Sequence, residues 1–193
     1  MRRRFWVALV LLAAIALAGM AMAWWPSEPS YQGRSMSLWL IDLSSGEQQK
    51  REQAVEAVQA MGTNALPRLT RMLCAKDDAR WKQALLKLES KQSLLRTHFT
   101  PAEEVRGRAV AGFFALGSSA QKSAVPALIR IVENESSPLV RAYAAVILGH
   151  IGPAAKAAVP ALVKATQDKN PDLIKSARLA LANISMATPD SLR

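Results

Sequence analysis

Apolar residues recur at helical spacing along most of the chain. Between residues 140 and 151 they follow the 3, 4, 7 spacing of one helical face, and a second such face starts at Val159. Gly152 separates the two, and glycine readily adopts the left-handed conformation that ends a helix. The same arrangement recurs around Gly62 and Gly117, with no sustained alternation of the kind typical of strands. The pattern therefore predicts an all-α fold built from helical hairpins.

The predicted hairpins repeat at fixed offsets. The stretches "AVPALIRIV" at 124–132 and "AVPALVKAT" at 158–166 lie 34 residues apart, and "ALPRLTRML" at 65–73 is a third copy. Because proline is tolerated in the first turn of a helix, the shared proline marks the start of each second helix. These prolines are Pro67, Pro126 and Pro160. The period is typical of stacked helical repeats, in which each unit covers the apolar face of the next.

The repeated elements divide the chain into segments. We expect a hydrophobic helix at residues 1–25, a linker with an N-terminal capping helix at 26–46, and the repeat domain at 47–193. The units lie at about 47–75, 102–134 and 137–168, with a partial unit at 171–187. The pattern predicts a further, inserted helix at about 78–96, which we expect to pack on the edge of the stack or to protrude as an arm.

An arginine lies eleven residues before each hairpin glycine. These residues are Arg51, Arg106 and Arg141. One basic side chain per unit can bridge to a loop or an acidic residue of the neighbouring unit, so the series predicts a structural role in the stack.

The chain resembles the HEAT-type repeats, including their bilin-lyase-like branch. The resemblance is carried by "VRGRAVAGFFALGSSAQKSAVPALIRI" at 105–131 and "VRAYAAVILGHIGPAAKAAVPALVKA" at 140–165. In addition, "YQGRSMSLWL" at 31–40 and "MGTNALPRLTRML" at 61–73 resemble exported HEAT-repeat proteins of verrucomicrobial and planctomycete-type bacteria. The resemblance implies a right-handed α-solenoid with an interaction role, and it implies no reaction.

The first residues, "MRRRFWVALVLLAAIALAGMAMAWWP", combine three arginines with an uncharged run. As a helix, the run from Phe5 to Trp25 would reach roughly 30 Å, enough to cross the hydrocarbon layer of a membrane. It predicts a single-pass anchor with a cytoplasmic N-terminus and an exported, extracytoplasmic repeat domain. The alternative is a signal peptide cleaved after Ala23, which would leave a secreted protein.

Few residues suit catalysis or metal binding. The chain has one cysteine, Cys74, and two histidines, His98 and His150, and it lacks a phosphate-binding loop or a nucleophile motif. The pairs Asp77–Asp78 and Glu103–Glu104 are adjacent in sequence, so their carboxylates diverge on a helix. The sequence therefore predicts a protein that is not an enzyme and has no cofactor.

Basic residues are in excess, and some of them repeat in register. The formal net charge is +10. Four residues after each proline comes Arg71, Arg130 or Lys164, on the second helices that line the concave face of a solenoid. With Arg68 and Lys122 nearby, they predict either an ordinary solvated face or a basic groove for an acidic protein partner.

Other partners for a basic face are anionic lipid and nucleic acid. The short predicted linker would hold the domain close to the membrane, where basic residues attract anionic headgroups. Export and the lack of interleaved aromatic residues disfavour nucleic acid. A tetrapyrrole lyase-type factor is implied only by the bilin-lyase-like resemblance.

Overall fold

The computed structural model describes residues 28–76 and 100–186. The predicted hydrophobic segment at 1–25, the predicted inserted helix at about 78–96 and His98 lie outside the described residues. Within those ranges the chain forms two short strands, β1 (Ser30–Tyr31) and β2 (Arg34–Ser35), and eight α-helices. The helices are α1 (Met36–Asp42), α2 (Gln48–Met61), α3 (Leu66–Leu73), α4 (Ala102–Ala115), α5 (Ser118–Asn134), α6 (Pro138–Ile151), α7 (Val159–Ala165) and α8 (Pro171–Met186).

The helices pack in two layers. The first helix of each unit contacts the first helix of the next, which gives an A layer of α2, α4, α6 and α8. The second helices form a B layer of α3, α5 and α7 in the same way, and each of them packs closely against the A helix of the following unit. The predicted all-α, HEAT-like solenoid is therefore confirmed.

Helix α1 precedes the first unit and packs against α2 and α4. It is introduced by a tight β-hairpin, in which Tyr31 pairs with Arg34. Gln32 and Gly33 both have positive φ, 50° and 74°, as the two central residues of a type I′ turn require. The hairpin was not predicted from the sequence, because its turn is Gln-Gly rather than the usual Asn-Gly or Asp-Gly.

The link between the two helices of a unit differs from unit to unit. A 3-10 turn, Gly62–Ala65 or Gly152–Ala158, leads into α3 and α7. Both turns begin at a glycine with positive φ, as expected, and Pro67 and Pro160 lie in the first turn of the helix that follows.

The second unit departs from this pattern. Gly117 has φ −65° and precedes α5, and Pro126 lies inside that helix rather than at its start. The prediction that Pro126 begins its helix is wrong, because residues 118–125 continue the helix backwards and bury Ala120, Ala124 and Val125.

A continuous apolar core runs between the layers. Within the described residues, no polar or charged side chain is classed as buried. The largest fully buried side chains come from both layers and from α1: Phe113, Met36, Leu40, Leu69, Leu73, Leu128, Ile147, Leu148, Leu162 and Leu173. Each unit thus covers the apolar face of the next, which is why a single hairpin of this kind cannot be stable alone.

Each of the three predicted bridging arginines donates a hydrogen bond to a backbone carbonyl at or beyond the end of the preceding helix. Arg51 Nη1 donates to the carbonyl of Ser45 at 2.6 Å, and Arg106 Nη1 donates to the carbonyl of Ala75 at 2.7 Å. Arg141 Nε donates to the carbonyl of Val132 at 2.7 Å. Each acceptor lies in the last turn of the preceding helix or just beyond it, where the helix dipole favours a cation. The predicted structural role of this series is confirmed.

One described stretch, Pro138–Ala165, is long and apolar enough to cross a membrane. It is the hairpin of the third unit, broken by the 3-10 turn that begins at Gly152. Its fully buried residues, such as Ile147 and Leu162, face the core of the stack. Packing within the domain thus accounts for the buried part of this apolar stretch.

Candidate partner-binding surface

Three basic residues occupy the same position on the three B helices. Arg71, Arg130 and Lys164 each lie four residues after the proline of their unit, and all three are exposed. The leucines two residues after each proline, Leu69, Leu128 and Leu162, are fully buried. Two residues of a helix correspond to a rotation of about 200°, so the basic residues point away from the core. We call these three residues the basic row.

The middle position of the basic row, Arg130, lines a groove between two B helices. It lies between α3 and α5, has a volume of about 390 Å³, and is lined by Thr70, Ala127, Arg130, Ile131, Asn134 and Glu135. Arg71 follows Thr70 directly on α3. Helices α5 and α7 are also in contact, which makes Lys164 the next position after Arg130. The order of the helices thus places the three cations in sequence across the B layer.

The basic row is not neutralised by the described part of the chain. Some cations elsewhere have acidic partners, as in Lys50 with Glu47 at 2.6 Å and Arg108 with Glu104, whereas others, such as Lys175 and Arg178, have none among the described residues. Among the described residues, Arg71, Arg130 and Lys164 form no such ion pair. No described carboxylate therefore neutralises their charge.

Lys122 lies on the same layer but outside the row. It is exposed on the first half of α5 and, like the row, pairs with no described carboxylate. Eight residues separate it from Arg130, a distance of about 12 Å along a helix. It extends the positive surface towards the other end of the B helices.

Arg68 has a different environment from the other predicted site residues. Its Nη2 donates to Ser37 Oγ at 3.2 Å and lies 3.9 Å from Glu28 Oε1. Glu28 in turn accepts from the amide of Ser37 at 2.6 Å. Arg68 therefore ties α3 to the N-terminal hairpin and α1, and we leave it out of the basic row.

Two acidic residues lie at the end of α5, close to the groove. Glu133 is exposed, whereas Glu135 is partly buried and lies 3.6 Å from Lys76 Nζ. Partial burial acts to raise the pKa of Glu135, but hydrogen bonds from the Ser136 hydroxyl and amide outweigh it and hold that pKa below its ordinary value. Glu135 is thus ionised at neutral pH and is occupied by contacts within the chain.

The A layer offers a surface of another kind. Phe114 is 39% exposed, Val146 39% and Leu179 57%. The ring of His150 stacks on Phe114 with the centroids 4.1 Å apart. Phe114, Val146 and Leu179 lie off the core-facing positions of their helices, which is why the apolar spacing of the core does not include them.

The residues considered for chemistry lie apart from one another. Cys74 packs against the core at the end of α3, and burial raises the pKa of its thiol. Glu103 and Glu104 are exposed in the first turn of α4. Among the described residues, no group of three or more histidine, cysteine or acidic residues could hold a metal ion. The basic row is the arrangement that best suits a binding function.

Comparison with known families agrees with this architecture. A family model described as HEAT repeats matches residues 92–191, just over half of the chain. No match was found among curated proteins. The family match does not separate the bilin-lyase-like branch or the verrucomicrobial and planctomycete-type proteins from other HEAT repeats, so those finer resemblances stay predictions.

Proposed function

The chain belongs to the HEAT-repeat family, and from that premise we propose that it is a non-catalytic scaffold that binds an acidic protein partner through the basic row. HEAT repeats commonly mediate protein–protein interaction and scaffolding, and proteins built from them are generally not catalysts. Stacked helical pairs offer a long, rigid surface, which suits binding better than the enclosed pocket that catalysis needs.

One observation carries this proposal. Three cations at the same register point away from the core on neighbouring helices, and no described carboxylate pairs with them. A row of uncompensated positive charge attracts an acidic surface and orients it before contact. Because the cations are exposed, they contribute more to the association rate and to the choice of partner than to raw affinity.

We further propose that the scaffold is tethered to a membrane, with the repeat domain on the extracytoplasmic side. Arg2, Arg3 and Arg4 precede the uncharged run from Phe5 to Trp25, and this arrangement favours retention of the arginines in the cytoplasm. The tether would hold the basic row near a membrane surface and near exported or membrane-bound partners.

A charge-reversal experiment tests the binding proposal. A fluorescent polyglutamate peptide is titrated with the full chain in detergent, for the wild type and for the double variant R130E/K164E. We expect the reversal to weaken binding about tenfold, because two favourable exposed pairs become repulsive. Thermal unfolding followed by circular dichroism should give the same Tm for both proteins.

The chain offers a matched control for this experiment. Lys175 and Arg178 are exposed on α8, in the A layer. The variant K175E/R178E makes the same change in net charge, and we expect it to bind the peptide almost as well as the wild type. Equal weakening by both variants would show a response to net charge alone and would refute a specific surface. Equally tight binding of single-stranded DNA would favour a general anion-binding face.

A further inference from the structure

The repeat fixes the separation between the cations of the basic row. Arg71, Arg130 and Lys164 hold the same register on helices that are in contact along the B layer. Packed helices lie about 8–10 Å apart. A ligand that crosses the B layer therefore meets one cation roughly every 8–10 Å.

Few peptide conformations place successive side chains of one face about 8–10 Å apart. A polyproline II helix has three residues per turn and rises about 3.1 Å per residue, so every third side chain points the same way at intervals of about 9 Å. In a β-strand, side chains on one face recur every second residue, at about 6.6 Å or 13 Å, and neither value fits. The interval favours a chain in the polyproline II conformation.

The groove between α3 and α5 offers room for a side chain of a segment that crosses the B layer. Its volume of about 390 Å³ and its lining by Ala127 and Ile131 accommodate side chains rather than a whole helix, whose diameter is about 10 Å. Thr70 and Asn134 supply polar groups at the same groove, and the Glu135 carboxylate that also lines it is held by Ser136 and Lys76. A polyproline II backbone makes no internal hydrogen bonds, so its amides and carbonyls are free to bond with such groups.

We propose that the ligand of the basic row is an extended acidic segment with a carboxylate at every third residue, one for each repeat. This inference rests on the proposed function and adds the conformation and the charge spacing of the partner. It follows from the register of the three cations and from the spacing of the helices that carry them.

Three labelled peptides of equal length, composition and charge test the spacing. Each carries three glutamates in the same proline and alanine background, placed at every third position, at every second position, or in one block. Binding to the full chain is measured by fluorescence anisotropy. We expect the every-third peptide to bind about fivefold more tightly than the other two, because only it pairs all three carboxylates with the row.

A single variant supplies the internal control. R130E removes the middle cation and should abolish the preference for the every-third peptide, whereas K175E on the A layer should keep it. Equal affinities for the three peptides, or tighter binding of a peptide with another glutamate spacing, would overturn this inference. The proposed function would still hold in that case. If none of the acidic peptides binds the wild type, the proposed function fails and this inference fails with it.

Discussion

Gly149 on α6 lies directly against Ala180 on α8. A Cβ atom at position 149 would lie 2.8 Å from the Cα of Ala180, closer than real Cβ contacts allow. The neighbour is backbone rather than the tip of a side chain, so it cannot move aside by changing rotamer. The glycine thus permits the close approach of the last two A helices.

Replacement of this glycine should destabilise the stack. We expect G149A to lower the free energy of unfolding by about 1–3 kcal/mol, because α6 and α8 must separate to admit the methyl group. Urea unfolding followed by circular dichroism measures the change. Gly107 is the control, since it is exposed in α4 with open space around it. G107A should stabilise the protein by about 0.5–1 kcal/mol through helix propensity, and a similar loss in both variants would refute the role of the contact.

Replacement of Pro126 should stabilise the protein, in contrast to replacement of Gly149. It lies inside α5 and cannot donate the backbone hydrogen bond to the carbonyl of Lys122, four residues earlier. We expect P126A to raise the free energy of unfolding by about 1–3 kcal/mol. Pro160 is in the first turn of α7, so P160A should change stability much less. If thermal melts showed P160A to be the more stabilised variant, the assignment of Pro126 to a helix interior would be wrong.

The same two prolines show what the sequence can and cannot predict. A proline after a glycine-closed helix predicted the start of α7 at Val159, because the residues before Pro160 form only a 3-10 turn. The rule failed at Pro126, where burial of Ala120 and Ala124 favours a longer helix despite the missing hydrogen bond. A local rule does not weigh tertiary burial against one hydrogen bond.

The part of the candidate site that repeats at a constant offset from the proline could be predicted from the sequence. Arg71, Arg130 and Lys164 follow from their constant offset after the proline, and the structure exposes all three. Arg68 was grouped with them on proximity alone, yet it is held by Ser37 and Glu28. The contact joins residues that are far apart in the chain. It also depends on the turn at Gln32–Gly33, which the sequence pattern did not predict.

Arg141 is the best-connected of the bridging arginines. It donates to the carbonyl of Val132 and also to Asp168 Oδ2 at 2.7 Å, which joins one unit to the loop before the next. We expect R141A to lower the free energy of unfolding by about 1–3 kcal/mol, since hydrogen bonds to a charged group are lost. The variant R141K should recover only part of the lost free energy of unfolding, because the lysine ammonium lacks the planar, forked guanidinium that bonds to both acceptors. Chemical denaturation that showed no loss in R141A would contradict the bridging role.

The Asp168 carboxylate should make stability depend on pH. Its pKa is held below the ordinary value by the backbone amide of Asn170 first and then by Arg141. A lowered pKa in the folded state means that the ionised carboxylate stabilises the fold above about pH 4 and that this contribution is lost as the pH falls. Between about pH 5 and pH 3, the wild type should lose more of its free energy of unfolding than D168N does. Parallel curves for the two proteins would contradict this assignment.

Zero-length crosslinking of a bound acidic peptide tests the binding face most directly. A carbodiimide joins glutamate carboxylates to nearby lysine amines. The exposed lysines of the described residues include Lys122 and Lys164 on B helices, Lys50 and Lys175 on A helices, and Lys76, Lys156 and Lys169 in the connections. We predict that mass spectrometry will find crosslinks concentrated at Lys164 and Lys122 and lost in high salt. Crosslinks of equal or greater yield at Lys50 and Lys175 would contradict the assignment of binding to the B layer.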